Sequence, residues 1–439
     1  MPTSFRPYHP DQSLLLPPSP RDWLPEKHLA FFVAETIDAL NLSAFYEPYE
    51  GDGRRKQPYD PAMMLKVLVY GYSTGTYSSR KIAQKLHEDV AFRVLGAENF
   101  PAHRTISEFR KRHLKDFESV FVQLVRIAQE VGLVKLGTVA IDGSKVKANA
   151  SKHKAMSYGR MVTEEKRLRS EIRKLLKRAG KTDAHEDKKY GPDGTGDGIP
   201  EELARREDRL KKIVEAKDRL EARQKEMDRA RGRKDDDDQR PRGPGRPPKR
   251  PFGKPPEKAQ DNFTDPDSRI MKTSKGFEQC YNTQIVVDEQ AQMIVAADVS
   301  QKSSDINELR SMLDQTRKNT KATPKRTLAD AGYASEANLK SLARRGIEGF
   351  VALGRGEKGR QQAPAGKHGR KMFRRMNTCR GKQHYRKRKW IVEPVFGWIK
   401  SATNFRSFSL RGSENVRGEW NLVCFAANLR RLNSRMQWT

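Results

Sequence analysis

Cysteine is scarce in this chain, and its scarcity excludes stabilisation by a zinc motif or by a disulfide framework. The 439 residues contain three cysteines, Cys280, Cys379 and Cys424, which lie far apart and are odd in number. None has the close spacing of a zinc motif, and a disulfide framework needs more cysteines at shorter intervals. We therefore expect three ordinary reduced thiols.

Long hydrophobic runs are also missing. No apolar stretch approaches the roughly 20 residues that a membrane-spanning helix needs, and the apolar run at residues 14–16 is too short for a secretory signal. Hydrophobic residues make up 35% of the chain and its mean hydropathy is −0.87, so part of it must be solvated or disordered. We expect a cytoplasmic protein without a membrane partner.

Acidic residues are outnumbered by basic ones. The chain has 87 lysines and arginines against 56 aspartates and glutamates, a net charge of +31 and a pI near 10.0. Such an excess bears on the partners of a protein rather than on its fold. Nucleic acid is the leading candidate partner, and an anionic membrane surface is the competing one.

The N-terminal part has the periodicity of amphipathic helices, and we assign residues 1–130 to an all-α domain. Ser78 is expected to cap one helix, and Thr105 with Glu108 has the spacing of a capping box. Basic residues lie near both helix starts, where we expect them to contact DNA phosphates: Arg80, Lys81, Arg104 and Arg110. The alternative is a small bundle with a solvated basic face.

Aromatic residues nearly disappear between residues 161 and 262, where Tyr190 and Phe252 are the only two. This stretch cannot build a normal core, and we interpret it as a charged helical-hairpin insertion followed by a basic Pro/Gly-rich linker. In the linker, residues 241–249 (PRGPGRPPK) are similar to Gly-Arg-Pro hooks that enter narrow minor grooves. A plain basic linker is the alternative. A thin apolar seam supports the hairpin: Leu210, Ile213, Ala216 and Leu220.

Strand patterns lie on both sides of the insertion. We therefore assign residues 131–160 and 263–439 to one domain. Along the chain the elements follow in the order strand, insertion, hairpin, helix, strand, helix and strand. Residues 281–288 and 292–300 form the hairpin. This order predicts a mixed α/β fold, in which helices flank a mixed sheet.

Two aspartates directly follow short apolar runs. Asp142 comes after residues 138–141 and before a glycine, and Asp330 comes before Ala-Gly, where the backbone can turn. If the two strands are parallel neighbours, both carboxylates emerge side by side at the carboxyl edge of the sheet. Two carboxylates about 4 Å apart repel by roughly 4 kcal/mol at an effective dielectric of about 20, which favours an intervening cation. Oxygen ligands select Mg²⁺ or Mn²⁺ over zinc.

A third acid, Glu393, is followed by Pro394. We expect Glu393 at a helix start, where proline is tolerated and the macrodipole keeps an acid ionised. Lys400 is seven residues further on, and we expect it on the same helix face. The run from Arg386 to Lys389 adds bases beside this acid, a combination that suits a phosphodiester held next to a metal ion.

Each acid also has an ordinary structural explanation. Asp142 and Asp330 suit turns before glycine, because aspartate favours turns. Glu393 would cap a helix and pair with Arg388 or Lys389. Taken together, the three acids favour a site over three separate structural roles.

The motifs around these acids resemble the DDE transposases of bacterial insertion sequences. The resemblance covers most of the chain and includes GTYSSRKIAQKLHEDVAFRVL, PAHRTISEFRKRH, AIDGSKVKANAS, YNTQIVVD, LADAGYASEANL and IVEPVFGWIK. It implies a ribonuclease H-like catalytic domain whose acid triad corresponds to Asp142, Asp330 and Glu393.

The Tyr-Arg-Glu-Lys signature of that family looks like Tyr385, Arg388, Glu393 and Lys400, of which the tyrosine and the two bases would contact DNA. The family's intervals of two, three and six residues become two, four and six here. Arg386 is therefore an alternative to Arg388, whereas Lys389 keeps the interval of three but is not an arginine.

The resemblance also implies the reaction. Asp142 would bridge two Mg²⁺ or Mn²⁺ ions, with Asp330 on one and Glu393 on the other. Water would cut double-stranded DNA at the element's ends, and the freed 3′-hydroxyl would attack target DNA within a homodimer on paired ends. A bacterial, nucleoid-associated location follows from the same resemblance. Two rivals are a metal-dependent nuclease without strand transfer and a non-catalytic DNA-binding protein.

Overall fold

The computed structural model of the chain describes most of its residues. The glycine-rich link at 191–198 and the Pro/Gly-rich linker with its Gly-Arg-Pro sequence at 241–249 lie outside the described residues. The described ranges are 19–50, 57–190, 199–234, 250–274, 276–355, 361–362 and 365–436.

The N-terminal region is helical, as the periodicity predicted. Its helices are α1 (Leu29–Asp38), α2 (Ser43–Tyr46), α3 (Pro61–Ser73), α4 (Ser79–Glu88), α5 (Val90–Gly96), α6 (His103–Arg112) and α7 (Asp116–Glu130). Ser78 precedes α4, as predicted, although its side chain makes no capping hydrogen bond. The predicted capping box is wrong. Because α6 starts at His103, two residues after Pro101, Thr105 lies inside the helix.

A mixed sheet forms the centre of the remaining chain. The strands are β1 (Thr138–Lys147), β2 (Ala155–Ser157), β3 (Gln260–Asn262), β4 (Arg269–Thr273), β5 (Gly276–Asp288), β6 (Ile294–Ser300), β7 (Arg326–Ala329), β8 (Glu348–Val351), β9 (Gly354–Arg355) and β10 (Gln361–Gln362). In the main sheet β5 pairs with β4 and β6 along one edge and with β1 along the other, and β7 and β8 follow β1. β1 is antiparallel to β5 and parallel to β7. The predicted hairpin is present as β5 and β6.

β1 is longer than predicted. The apolar run ends at Ile141, but the strand continues to Lys147 because the long strand β5 pairs with it over that whole distance. The short strand β7 pairs with β1 only as far as Ile141, opposite Ala329. Asp142 therefore lies inside β1, at the point where the parallel part of the sheet stops.

The insertion between β1 and the rest of the sheet is a helical hairpin with its own small core. Its helices are α8 (Tyr158–Tyr190) and α9 (Ile199–Ala230). Ion pairs such as Arg206–Glu171 and Lys217–Glu165 run in the order expected for antiparallel helices. The predicted seam is confirmed, since three of its residues are buried and the fourth packs against them: Ile213, Ala216, Leu220 and Leu210.

Helices cover the sheet after the insertion. They are α10 (Glu308–Thr320), α11 (Glu336–Arg344), α12 (Lys367–Asn377), α13 (Cys379–Gly397), which continues into a π-helical turn (Trp398–Ala402), and α14 (Ser413–Met436). α11 is capped by Ser335, whose hydroxyl accepts a hydrogen bond from the Asn338 N–H at 3.2 Å. α14 is buried on all sides from Gly418 to Leu429 and packs against β6, α3 and α7. The predicted mixed sheet flanked by helices, with an all-helical N-terminal region, is confirmed.

One hydrophobic core joins the N-terminal helices to the sheet. Phe117 of α7, Ile141 of β1 and Trp420 of α14 are fully buried in the same cluster, whereas the insertion has a separate one. α14 makes this connection because its buried part packs against β6 on one side and against α3 and α7 on others. The helical region and the sheet region therefore share one interior.

The structure has no single helix, within its described parts, that is long and apolar enough to cross a membrane. α1 passes such a test only together with the following residues 43–49, and the pair is bent by 91°. Apolar side chains of both segments, Val33 and Phe45 among them, are buried in the core. All three cysteines are free thiols; Cys280 and Cys424 are buried and Cys379 is exposed.

Candidate active site

Asp142 and Asp330 occupy matching positions on two neighbouring parallel strands. The last pair in the parallel ladder is Ile141 opposite Ala329, so the next residue of each strand is an aspartate. Burial raises the pKa of the Asp142 carboxyl above its ordinary value, and the charge of Asp330 raises it further. The predicted adjacency of the two acids is present.

Local backbone contacts fix the two carboxylates. Asp142 Oδ1 accepts a hydrogen bond from the Gly143 N–H at 3.0 Å. Asp330 Oδ1 accepts one from the Gly332 N–H at 2.9 Å and so caps the short 3₁₀ turn Ala331–Tyr333. The acids therefore point in defined directions at the sheet edge.

Arg388 lies between the first and third acids. Its Nη1 donates a hydrogen bond to Asp142 Oδ2 at 2.9 Å, and its Nη2 is 3.9 Å from Glu393 Oε1. The side chains of Arg388 and Asp142 are 14% and 17% exposed, whereas that of Glu393 is 52% exposed. Burial acts to lower the pKa of the guanidinium, but Asp142 and Tyr385 together hold it above its ordinary value. The guanidinium is the cation that this structure places beside Asp142.

Glu393 does not begin a helix, and that prediction is wrong. It lies near the C-terminal end of α13, so the macrodipole does not favour its charge, and Pro394 is inside the helix. A proline there cannot donate to the carbonyl four residues earlier, that of Trp390. Gln292 Nε2 donates to this carbonyl instead. A tertiary contact thus replaces the backbone bond that Pro394 removes.

Lys400 was predicted to lie two α-helical turns beyond Glu393, and that prediction is wrong. Lys400 lies in the π-helical turn. A π turn holds more residues than an α turn, which changes the direction of the side chains that follow. Lys400 Nζ donates to the Ser144 hydroxyl and, at 3.2 Å, to the Lys145 carbonyl oxygen. Burial lowers the pKa of its ammonium, although Cys280 and Asp142 act in the opposite direction. The ammonium therefore sits along β1, near Asp142.

The remaining candidate residues of α13 differ in their partners and in their exposure. Tyr385 is half-buried and hydrogen-bonds to Arg388. Lys387 Nζ donates to Glu289 Oε1 at 2.7 Å, while Arg386 and Lys389 are exposed. Of the two arginines that the sequence left as alternatives, Arg388 is the one beside the acids.

Of the N-terminal residues predicted to contact DNA, three are exposed and one is buried. Arg80, Lys81 and Arg104 are exposed. Arg110 is only 5% exposed, and its guanidinium donates to the Tyr72 hydroxyl at 3.1 Å and to the Tyr77 carbonyl at 2.9 Å. The prediction that Arg110 contacts DNA is therefore wrong, because its charge serves buried partners inside the fold.

A polar layer beneath the acids was missed in the sequence. Asn282, Thr283 and Gln284 of β5 are fully buried. Gln284 accepts a hydrogen bond from the buried Tyr333 hydroxyl and donates to Asp305 Oδ1 at 2.7 Å. The signal was three consecutive polar residues directly before the apolar run at residues 285–287, which is unusual for a strand buried on both faces.

The acids can be compared with the requirements of a divalent metal site. Across the ranges that the structure describes, no three histidine, cysteine, aspartate or glutamate side chains are grouped closely enough to hold a metal ion. Asp142 and Asp330 offer the oxygen ligands that Mg²⁺ or Mn²⁺ prefers. Glu393 is paired with Arg388, as the ordinary structural explanation of this residue allowed. Arg388 also pairs with Asp142, at 2.9 Å, so the donor atoms of the acids suit such an ion but a bound cation would have to displace the guanidinium.

Comparison with known protein families finds two matches, one in the N-terminal helical region and one in the C-terminal part of the chain. Residues 245–429 match the family model described as "Transposase DDE domain", and residues 18–112 match the one described as "Transposase domain (DUF772)". The first match contains Asp330 and Glu393 and begins after Asp142. No curated protein and no solved structure matches the chain.

These two domains are characteristic of enzymes that move DNA segments. The chain belongs to the DDE transposases of bacterial insertion sequences. Its function is accordingly that of a transposase, and DNA is its substrate.

Proposed function

We propose that this transposase cuts DNA at the ends of its insertion sequence and joins the freed 3′ ends to target DNA, with Asp142, Asp330 and Glu393 as its catalytic acids on a ribonuclease H-like domain. The observation that carries the proposal is the register of β1 and β7, which sets two aspartates side by side next to a partly buried arginine and a partly buried lysine. The order of β5, β1 and β7 and their directions support the same fold.

The acids would hold divalent cations, Mg²⁺ or Mn²⁺, for which we propose two positions. Such ions would supply activation of the attacking hydroxyl and charge neutralisation on the leaving oxygen. Lys400 and Arg388 would bind the DNA phosphates beside the scissile bond, where desolvated cations hold a phosphate strongly. Arg388 would leave Asp142 for a phosphate in this step. Tyr385 would orient that guanidinium.

The exposed bases Arg80, Lys81, Arg104 and Arg386 would bind the flanking duplex. We further propose that the protein acts as a homodimer on paired ends, in the bacterial cytoplasm at the nucleoid. The net charge of +31 supports an electrostatic affinity for DNA that falls steeply with salt.

The test uses the full chain and a supercoiled plasmid that carries the DNA ends flanking its own gene. With Mg²⁺ or Mn²⁺ we expect donor-end cleavage and joined products on a gel. Asp142→Asn and Asp330→Asn should each lower the yields of donor-end cleavage and of joined products by about a hundredfold or more, because a carboxylate is lost from the cation site.

The matched control is Asp314→Asn, whose carboxylate pairs with Arg345 on the surface of α10 at 2.6 Å. It should cut and join like the parent. Nicks without joined products would replace the proposal with a plain nuclease. DNA binding without any metal-dependent cleavage would replace it with a non-catalytic protein.

A further inference from the structure

The glycines that follow the two catalytic aspartates are not there for backbone freedom. Neither Gly143 nor Gly332 is among the described residues with positive φ, so other residue types could adopt their conformations. A Cβ built on Gly143 would meet Asp305 Oδ1 at 2.7 Å, and one on Gly332 would lie 3.4 Å from Asp305 Oδ2. The nearest atom to the first Cβ is Gln284 Nε2 and the nearest to the second is Asp330 Oδ1, so Asp305 is one of the groups that crowd Gly143 and is in ordinary contact range of Gly332.

Asp305 therefore lies beside both glycines that follow the proposed catalytic aspartates. The same Cβ position on Gly332 is 3.0 Å from Asp330 Oδ1, so the carboxylates of Asp330 and Asp305 share one small space. Asp305 precedes α10, and β6 and this helix bring it to the sheet edge from a separate part of the chain. Its side chain is 19% exposed.

Two amide groups hold one oxygen of Asp305 and leave the other available. Oδ1 accepts hydrogen bonds from Asn282 Nδ2 at 2.6 Å and from Gln284 Nε2 at 2.7 Å. Lys145 Nζ lies 3.6 Å from the same oxygen. Oδ2, on the side of Gly332 and Asp330, has no hydrogen-bond partner among the described residues. A carboxylate fixed through one oxygen has its second oxygen oriented for a ligand.

A second observation, on the Gly143 side of Asp305, is a buried acceptor whose partner is missing. Asn282 is fully buried, and its Oδ1 has no hydrogen-bond partner. This oxygen is directed at Gly143, 3.2 Å from where a Cβ would stand. Buried acceptors without a partner are uncommon, because losing water without replacement costs about 1–3 kcal/mol.

The acids also act together on one buried group. Burial raises the pKa of the Tyr333 hydroxyl, and the charges of Asp305, Asp142, Asp330 and Glu308 raise it further, in that order. Lys145 pairs with Asp305, and Arg388 pairs with Asp142. The charges of Asp305, Asp142 and Asp330 therefore act on the same buried hydroxyl, and the carboxylates of Asp305 and Asp330 are the two that meet beside Gly332.

We infer that Asp305 is a fourth carboxylate of the proposed cation site, which supplies Oδ2 to a hard divalent cation beside Asp330. This inference rests on the proposed function. The competing explanation is that Asp305 is only an acceptor for the two amides of β5, and an uncharged acceptor of the same shape would then serve equally well.

The experiment measures Mn²⁺ binding without DNA, by the electron paramagnetic resonance signal of free Mn²⁺ titrated against the full chain. Asp305→Asn keeps an oxygen for both amides and removes the charge. We expect it to weaken Mn²⁺ binding at least about tenfold. Asp305→Ser is the second variant, and thermal melting shows that each is folded. The control is Asp298→Asn, an acid of β6 that pairs with Arg417 at 2.7 Å.

The results for these variants distinguish a failure of this inference from a failure of the proposed function. If Asp142→Asn loses Mn²⁺ binding while folded Asp305→Asn and Asp305→Ser bind like the parent, Asp305 is a structural acceptor and the inference fails alone. If the parent binds no Mn²⁺, or Asp142→Asn binds it unchanged, both fail. Weaker binding in the Asp305 variants with Asp298→Asn unchanged supports the fourth carboxylate.

Discussion

Arg104 and Arg110 lie six positions apart on α6, which rotates their side chains by about 240° relative to each other. Arg104 is exposed, whereas Arg110 is buried and bonds to Tyr72. The Tyr72 hydroxyl in turn donates to Glu419 of α14 at 3.0 Å. One arginine is available to DNA, and the other ties the N-terminal helices to the longest buried helix.

The two arginines should separate stability from DNA binding. Arg110→Met should lower the free energy of unfolding by about 3 kcal/mol, because buried polar partners lose their counter-charge. Arg104→Met should change it by less than about 0.5 kcal/mol but weaken DNA binding and reduce its salt slope by about one. Denaturant unfolding and fluorescence anisotropy measure these quantities. Equal stability losses would contradict the assignment.

His113 gives the fold a pH dependence. Its side chain is fully buried, and its ring stacks on Phe45 with centroids 4.8 Å apart. Burial lowers the pKa of the imidazole below its ordinary value of 6.5, although the hydrogen bond with Asp116 at 2.7 Å opposes this. The unfolded chain therefore takes up the proton first, and stability falls as the pH drops through 6.5.

We expect the melting temperature of the parent to fall between pH 7.5 and pH 5.5 by more than that of His113→Phe. Phenylalanine keeps the aromatic contact and removes the titrating group. The control is His153→Phe at an exposed histidine, which should keep the parent's pH dependence. Parallel curves for the parent and His113→Phe would show that another group is responsible.

At the scale of elements, the turn after α3 and the π turn after α13 meet. Gly75 has φ +80°, and a Cβ built on it would lie 2.8 Å from the Thr403 carbonyl oxygen. That oxygen also accepts a hydrogen bond from the Tyr77 hydroxyl at 2.7 Å. The N-terminal helices therefore support the segment that carries Lys400.

Gly75→Ala should lower the free energy of unfolding by more than conformational strain alone would. Gly132 has φ +78° with no atom within 4 Å of a built Cβ, so Gly132→Ala measures the strain, about 1 kcal/mol. Gly75→Ala should lose an additional 1–3 kcal/mol or so from the clash. Chemical denaturation of the two variants gives the difference. Equal losses would mean that the Thr403 contact yields freely.

The elements that the sequence predicted well were those with a strong local signal. The β5–β6 hairpin and the Ser335-capped helix α11 have clear periodicity or a clear cap. The start of α13 was missed because Pro394 normally marks a boundary. Gln292, about a hundred residues away, supplies the hydrogen bond that lets this proline stay inside the helix.

At the scale of the molecule, the insertion and the main fold have separate interiors. The residues of the small core between α8 and α9 do not belong to the cluster that contains Ile141 and Trp420. The insertion begins and ends where β2 and β3 pair, with Ser157 opposite Gln260. Most of the net positive charge lies outside it.

Replacing residues 158–259 by Asn-Gly should leave a folded protein, because this dipeptide closes an antiparallel pair in a tight turn. Near-unchanged melting of the shortened chain is expected, with DNA binding that remains strongly salt-dependent. Circular dichroism and anisotropy at several salt concentrations test this.

Two point variants serve as controls. Ile213→Asp should disrupt only the insertion, whereas Ile141→Asp should unfold the main domain, since each buries a charge in a different core. If the shortened chain or Ile213→Asp melts like Ile141→Asp, the two interiors are energetically coupled.

The sequence by itself determined the mixed sheet, the helical N-terminal region, the basic character and the two apolar runs that Asp142 and Asp330 follow, because these depend on local periodicity, composition and short motifs. Only the tertiary structure decided that β1 and β7 are in register, that Arg388 faces Asp142 while Arg110 faces inward, and that Asp305 lies beside Gly143 and Gly332. These are contacts between residues up to 246 positions apart. They depend on which buried groups find partners when the chain closes, and no local pattern encodes that choice.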